Sequence, residues 1–448
     1  MRTAHLKTYL LVIWGSIAIL GAGLVLWIYI NPEAGLMLAP GSDATSPLPI
    51  ATFSASPPVD SATPDSTQVV IIATRHPGTA LPLPPTTTPI TAMPVGQLSG
   101  DVDPLTGLRV SDPALLERRP VAVKISSFPR EAVRPVQSGL SLADVVYEYY
   151  IEDDLTRFIA VFYGQDASRA GPVRSARYFD ENVMRMYHSS LVFASADERV
   201  RDSLIASDLK PLLFLPRDDN CPPLCRDNSI QGYNNVFVNT AGVGAFLTDN
   251  SRQALRPMFF YGILAAFSMQ KMNRIYTHYS PYSYNYWDYD ATQQKYLRYA
   301  DNQDAVGGNG EAYVAQIDHL TNQQLTADNV VELLVPHNFN NDFDRADQVF
   351  NIQMIGSGTA YVFTSGIMYT GTWVRDQIDQ SIELFDQTNH AIRLKPGETF
   401  FQVIDPESTI SQDQNSIDFT FFIPPRVFTP TVTPTRDRST PTPTRKHK

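Results

Sequence analysis

Residues 171–177 read GPVRSAR, two arginines three positions apart with a serine between them. Guanidinium groups are rigid forks of N–H donors that match phosphate, sulfate and carboxylate oxygens. The following stretch, YFDENVMRMYH at 178–188, predicts a helix, whose first turn would offer unpaired backbone N–H groups to an anion. Arg174 and Arg177 are therefore candidates for an anion pocket, with Ser175 between them and with Arg157 and Glu148 on an adjoining sheet face. The same residue types support a second reading. Arg157, Arg174 and Arg177 could instead pair with Glu148, Glu152 and Asp180 in a charge network that braces the fold.

Catalytic chemistry is less well served. Ser175 as a nucleophile needs a base such as His188 or His278, and the G-x-S-x-G elbow is absent around V-R-S-A-R. Two carboxylates could act as general acid and base on a glycan, but Glu148 and Glu152, or Asp144 and Glu148, are four apart on a strand. That spacing separates them by about 13 Å, beyond the roughly 5–9.5 Å that such pairs use. No Walker loop, dinucleotide fingerprint or H-E-x-x-H helix occurs, and GGNG at 307–310 lacks the lysine of a phosphate loop. No cofactor and no metal site is expected, and the residues favour a binding module over an enzyme.

The elements that would position these groups lie on either side. DVVYEYYIEDDLTRFIAVFYG, residues 144–164, predicts a hairpin turning at Asp153 and Asp154. With those two as the turn, Tyr150 faces Arg157, which puts Glu148, Tyr150, Glu152 and Arg157 on one charged face. Val145, Tyr147, Tyr149, Ile151, Phe158 and Phe162 form the apolar one. PVAVKIS at 120–126 and LVFASA at 191–196 predict strands, and DERVRDSLIAS at 197–207 a second helix. This mixture points to a layered α+β fold over residues 99–256. Residues 257–408 change to short aromatic strands, among them THYSPYSYNYWDYD, VVELLVP, TAYVFTSGIMYTGTWVRD and ETFFQVID, and predict a mostly β unit. Tyr284, Tyr286, Trp287 and Tyr289 within it read either as a sugar-stacking surface or as ordinary packing.

Ahead of both, residues 9–30 form an uncharged run long enough to span a bilayer, which takes about 20 residues. Arg2 and Lys7 precede it and no further Lys or Arg follows until Arg75, so residues 1–8 are expected in the cytoplasm and the rest outside. A cleavable signal peptide is the competing reading. Residues 31–98 read as a Pro/Ser/Thr-rich linker and 424–448 as a disordered Thr/Pro-rich tail. The two cysteines, Cys221 and Cys225 in CPPLC, suit a short disulfide in an oxidising compartment better than zinc, which lacks two further ligands. A net charge of −11 argues against nucleic acid as a partner. The expected partners are the membrane, through the N-terminal helix, and a cell-wall or acidic glycan.

DPLTGL, RPVAVKI, ADVVYE, TRFIAVF and GPVRSARYF, in this order, resemble the N-terminal domain of the YerB-like family of bacterial envelope proteins. YWDYDATQQKYLRY, DNVVELLV, GIMYTGTWVRD and LKPGETFFQV resemble that family's second domain, and together the likeness covers roughly residues 100–408. The resemblance implies an α+β domain, then a β-rich one, outside the cytoplasm, and carries no established reaction. No Cys stands near the end of the apolar run, where lipoproteins of the family would carry their lipid. The sequence thus leads to a membrane-anchored extracytoplasmic binding or scaffold module with an arginine-rich anion site. Its alternatives are a purely structural spacer and an envelope enzyme acting on a phosphorylated or acidic glycan, with Glu148 or Asp180 moving a proton.

Overall fold

The computed structural model describes residues 100–217, 219–258, 270–339, 347–392 and 394–423. The apolar run at 9–30, the linker at 31–98 and the tail at 424–448 lie outside the described residues. Among the described residues no helix is long and apolar enough to cross a membrane. The fold is mixed α/β, with mostly strands and few helices.

The N-terminal half supplies β1 (Val121–Ser126), β2 (Val145–Tyr150), β3 (Thr156–Phe162), α1 (Tyr178–Tyr187), β4 (Ser190–Val192), α2 (Glu198–Ala206) and β5 (Leu213–Phe214). The C-terminal half supplies β6 (Arg274–Ser280), β7 (Ser283–Asp290), β8 (Lys295–Asp301), β9 (Tyr313–Ala315), β10 (Asn329–Leu334), β11 (Gly356–Thr364) and β12 (Ile367–Arg375). It ends with β13 (Glu383–Asp386), β14 (Thr399–Ile404), β15 (Thr409–Gln412) and β16 (Ser416–Thr420).

These strands do not sort into one sheet per half. The larger sheet runs β13-β12-β11-β10-β14-β2-β3-β1-β4-β5, so strands from both halves share it. Its seam is β14, which pairs in parallel with β2 on one side, Glu148 opposite Gln402, and with β10 on the other, Glu332 opposite Gln402. The smaller sheet, β9-β8-β7-β6-β16-β15, comes wholly from the C-terminal half. It covers one face of the larger sheet, where Trp287 packs 4.9 Å from Phe400 and Phe419 sits 5.1 Å from Tyr361. Helix α1 lies on the opposite face through Phe179, whose ring is 4.2 Å from Tyr149 and 5.8 Å from Tyr147.

This layering corrects the two-faced hairpin. All six residues of β2 and all seven of β3 are buried, because both faces of the sheet are covered. The turn also differs. Ile151 N–H donates to Leu155 O at 2.9 Å, leaving Glu152, Asp153 and Asp154 as a three-residue loop, with the last two at φ 52° and 61°. Arg157 therefore faces Tyr149, and Glu148 faces Phe158. Because side chains alternate with period 2, this one-residue shift sends Glu148 and Arg157 to opposite faces.

Candidate functional site

GPVRSAR is an extended ribbon stitched into the end of the large sheet. Ser126 N–H donates to Pro172 O, Arg174 N–H to Lys124 O at 2.9 Å, Ala176 N–H to Ser195 O, and Ala194 N–H to Arg174 O. Val173 and Ala176 point into the core, which leaves Arg174 and Ser175 partly exposed at the rim.

The three arginines of the region have different surroundings. Arg177 donates through Nε at 2.7 Å and through Nη2 to the Glu152 carboxylate, a forked pair, and its Nη1 donates to Ala176 O at 2.8 Å. Arg157 donates to Ser175 O at 2.9 Å and lies 3.7 Å from the same carboxylate. Arg174 has no carboxylate within ion-pairing distance among the described residues. Its guanidinium lies 4.4 Å from the centre of the Tyr233 ring, and its buried Nε has no hydrogen-bond partner among the described residues. Burial lowers the Arg174 pKa, with Arg177 adding to the effect, and burial beside Arg177 does the same to Arg157. All three line one cavity of about 300 Å³, whose other walls include Glu152, Tyr233, Phe128 and Leu155.

Behind this cavity sits a buried ion pair. Lys124 Nζ is 3.0 Å from Asp180 Oδ1, and the Tyr149 hydroxyl donates to the same oxygen at 2.5 Å. Burial pushes the Lys124 ammonium down to about pKa 7, with Arg157 and Arg177 also opposing its charge and Asp180 supporting it. Asp180 additionally accepts the Arg177 backbone N–H at 2.8 Å. The start of α1 thus carries the protein's own carboxylate, bonded to the amide just ahead of the helix.

Glu148 does not join the arginine cavity. It sits between the two sheets, where Arg298 donates to it at 2.5 Å and Thr156 at 2.9 Å. Arg298 also donates to Gln316 at 2.7 Å, and Trp287 Nε1 donates to Gln402 at 2.7 Å, so the polar seam is closely knit around a space of only about 20 Å³. Burial raises the Glu148 carboxyl, against the pull of Arg298, and raises Glu332 well above the usual carboxylate range. Ser175 Oγ pairs with Ser195 Oγ at 2.8 Å, and no histidine bonds to it among the described residues. His278 instead stands between Asp418 and Glu311, at 3.2 and 3.3 Å, on the smaller sheet.

The aromatic cluster divides. Trp287 and Tyr284 are buried, while the Tyr286 ring stacks on Tyr299 at 4.6 Å with Arg274 5.0 Å from its centre, so these rings contact one another and protein cations. Cys221 and Cys225 are joined by a disulfide. Among the described residues no group of three or more His, Cys, Asp or Glu is arranged to hold a metal ion.

Tyr233, Lys124 and Asp103 carry no catalytic or binding motif in the sequence, and Asp144 is paired there with Glu148 and not with Asp103. Tyr233, 61% exposed, comes from a turn-rich stretch with no periodic signal. Lys124 was visible as a lone cation inside the apolar strand VAVKIS. Asp103 and Asp144 form a hydrogen-bonded acid pair at the wall of a separate cavity of about 330 Å³. Burial raises both carboxyls; the Asp103 charge raises Asp144 further, whereas the hydrogen bond from Asp144 works against the rise at Asp103. Asp144 accepts the Gly164 N–H at 3.0 Å, and a Cβ at Gly164 would fall 2.6 Å from Asp103 Oδ2, so the pair closes tightly over that glycine.

Comparison with known proteins agrees with this architecture. The family descriptions "Protein of unknown function (DUF3048) N-terminal domain" and its C-terminal counterpart match residues 105–253 and 275–401. Over 141 residues the chain is 36% identical to YerB of Bacillus subtilis (strain 168), a protein provisionally described as a lipoprotein; the match covers 30% of this chain and 40% of that protein. The crystal structure of the YerB protein from Bacillus subtilis is similar in fold, with a TM-score of 0.55 and 22% identity over 68% of this chain and 96% of the solved one. The chain belongs to the two-domain YerB-like family.

Proposed function

We propose that this protein is a membrane-anchored, extracytoplasmic binding module of the bacterial envelope whose arginine cavity takes an anionic ligand. Residues 9–30 serve as the anchor and 31–98 as the spacer, with a layered α+β half at 99–256 and a β-rich half at 257–408 built around their shared sheet. The lipoprotein description of the Bacillus relative supports the location. The observation that carries the binding reading is Arg174: a guanidinium with an unpartnered buried Nε, beside two further guanidiniums, in an open cavity of about 300 Å³. A brace would be expected to find its carboxylate within the fold, as Arg177 finds Glu152. An anion entering the cavity would satisfy Arg174 and offset the mutual repulsion of the three cations.

The test is a thermal-shift series on the full chain in detergent with phosphate, pyrophosphate and acidic wall fragments. A ligand that binds only the folded state raises the melting temperature with concentration. The wild type should respond and Arg174→Ala should not. If none of these anions shifts the wild type, the arginines brace the fold and the reading fails.

A further inference from the structure

The anion-binding reading leaves the rest of the ligand undefined, and the cavity lining bears on it. A phosphate group displaces roughly the space of two or three waters at about 30 Å³ each, so it fills less than half of the 300 Å³. The remaining surface is unevenly equipped for hydrogen bonding. Ser175 Oγ is engaged with Ser195 at 2.8 Å, Ser126 Oγ with Phe128 O at 3.0 Å, and Thr156 Oγ1 with Glu148 at 2.9 Å. Arg177 is committed to Glu152, and Arg157 to Ser175 O. Apart from Arg174, only the Gln348 amide and the Tyr233 hydroxyl in this lining make no hydrogen bond among the described residues, so a hydroxyl-rich body would find few open partners, and each hydroxyl buried without one weakens binding.

Carbon surface, by contrast, is available. Phe128, Pro129 and Leu155 line the same cavity and are only partly buried, and Ile151 lies at its wall. Tyr233 covers a face of the Arg174 guanidinium, which leaves the in-plane N–H edge as the route to an oxyanion. The cavity thus combines an anion-seeking edge with apolar walls.

Resting on the anion-binding reading, we propose that the ligand of this cavity is a phosphate monoester with an apolar or aromatic body, in preference to inorganic phosphate or a phosphorylated sugar. The phosphate meets Arg174, with Arg157 and Arg177 lending charge, and the body lies along Phe128 and Leu155. Removing that body and its partners from water supplies the selectivity.

The experiment is isothermal titration of the full chain in detergent, near pH 8, with inorganic phosphate, glycerol 3-phosphate, phenyl phosphate and butyl phosphate. At least one of phenyl and butyl phosphate should bind about tenfold or more tightly than both inorganic phosphate and glycerol 3-phosphate. Leu155→Ser should shrink that advantage while leaving the affinity for inorganic phosphate within about twofold. A stronger phenyl response identifies an aromatic body and a stronger butyl response an alkyl one, and either supports the proposal. Should Leu155→Ser fail to fold, the wild-type series alone decides. If inorganic phosphate binds but neither apolar ester gains, or if glycerol 3-phosphate binds best, the apolar-body proposal is overturned while the anion site stands. If no phosphate binds at all, the anion-binding reading falls, and this proposal with it.

Discussion

Strand β2 ends in two arginine–glutamate arrangements that differ in one respect. On the face toward the smaller sheet, Arg298 and Glu148 are enclosed, with Gln316, Asn285 and Thr156 taking up further hydrogen bonds around a space for about one water. At the hairpin end, Arg177 and Glu152 form a comparable pair, yet Arg174 stands beside them with a buried N–H unanswered and a cavity in front of it. The chemistry of the side chains is the same in both places. What separates a brace from a binding site is whether the cations are matched within the fold, and of the two regions only the second holds an arginine without a carboxylate partner among the described residues.

The largest effect should come from breaking the closed seam. Arg298→Met strands Glu148 between two sheets, and losing one partner of a buried pair typically costs about 3–5 kcal/mol. A urea or thermal melt should show that loss, while whatever remains folded keeps its sulfate affinity. Arg174→Ala should show the converse pattern. Its stability change should stay below about 1 kcal/mol. Its sulfate affinity should fall roughly 10- to 100-fold, the equivalent of a charge-assisted hydrogen bond of about 1.5–3 kcal/mol. If Arg174→Ala melts as badly as Arg298→Met, the contrast between the two regions is wrong.

Much of this arrangement could be read from the chain. The hairpin at 144–164, the aromatic strands of the C-terminal half and the helix after GPVRSAR all carry local alternation or helical spacing, and all appear close to where those patterns put them. The insertion of β14 between β2 and β10 could not be read, because its partners in β2 lie more than 250 positions away and leave no local trace. Glu148 was misassigned for two physical reasons. A three-residue loop replaced a two-residue turn, and its cation, Arg298, comes from the other half of the chain. At the candidate site, the arginines were visible as residue types. Their division into paired and unpaired depended on Glu152 and Tyr233, which only the fold brings together.

Two pH experiments sharpen the comparison further. In the seam, Glu332 keeps its proton above the ordinary carboxylate range, and its Oε2 has no hydrogen-bond partner among the described residues. Above about pH 4.5 the unfolded chain releases a proton that the folded chain retains, so this group subtracts from stability as pH rises. Glu332→Gln should stabilise by about 1 kcal/mol or more near pH 8 and by little near pH 4, read from paired melts. The smallest effect belongs to Lys124 behind the cavity. Its folded pKa of about 7 lies below the ordinary 10.5, so the unfolded chain holds more protons between those values, and this group's contribution to stability rises with pH across that window and is flat below it. Below about pH 7 Lys124 adds a charge near Arg157 and Arg177. Sulfate, which does not titrate here, should therefore bind about two- to threefold tighter near pH 6 than near pH 8. Lys124→Met should flatten that dependence.

The most direct test of the central claim is anomalous diffraction from crystals of the wild type and of Arg174→Ala grown with selenate. The wild type should show a selenium peak in the cavity bounded by Arg157, Arg174 and Arg177, within hydrogen-bonding distance of Arg174, and the variant should show none. An empty cavity in the wild type, or a peak that persists unchanged without Arg174, would contradict that claim.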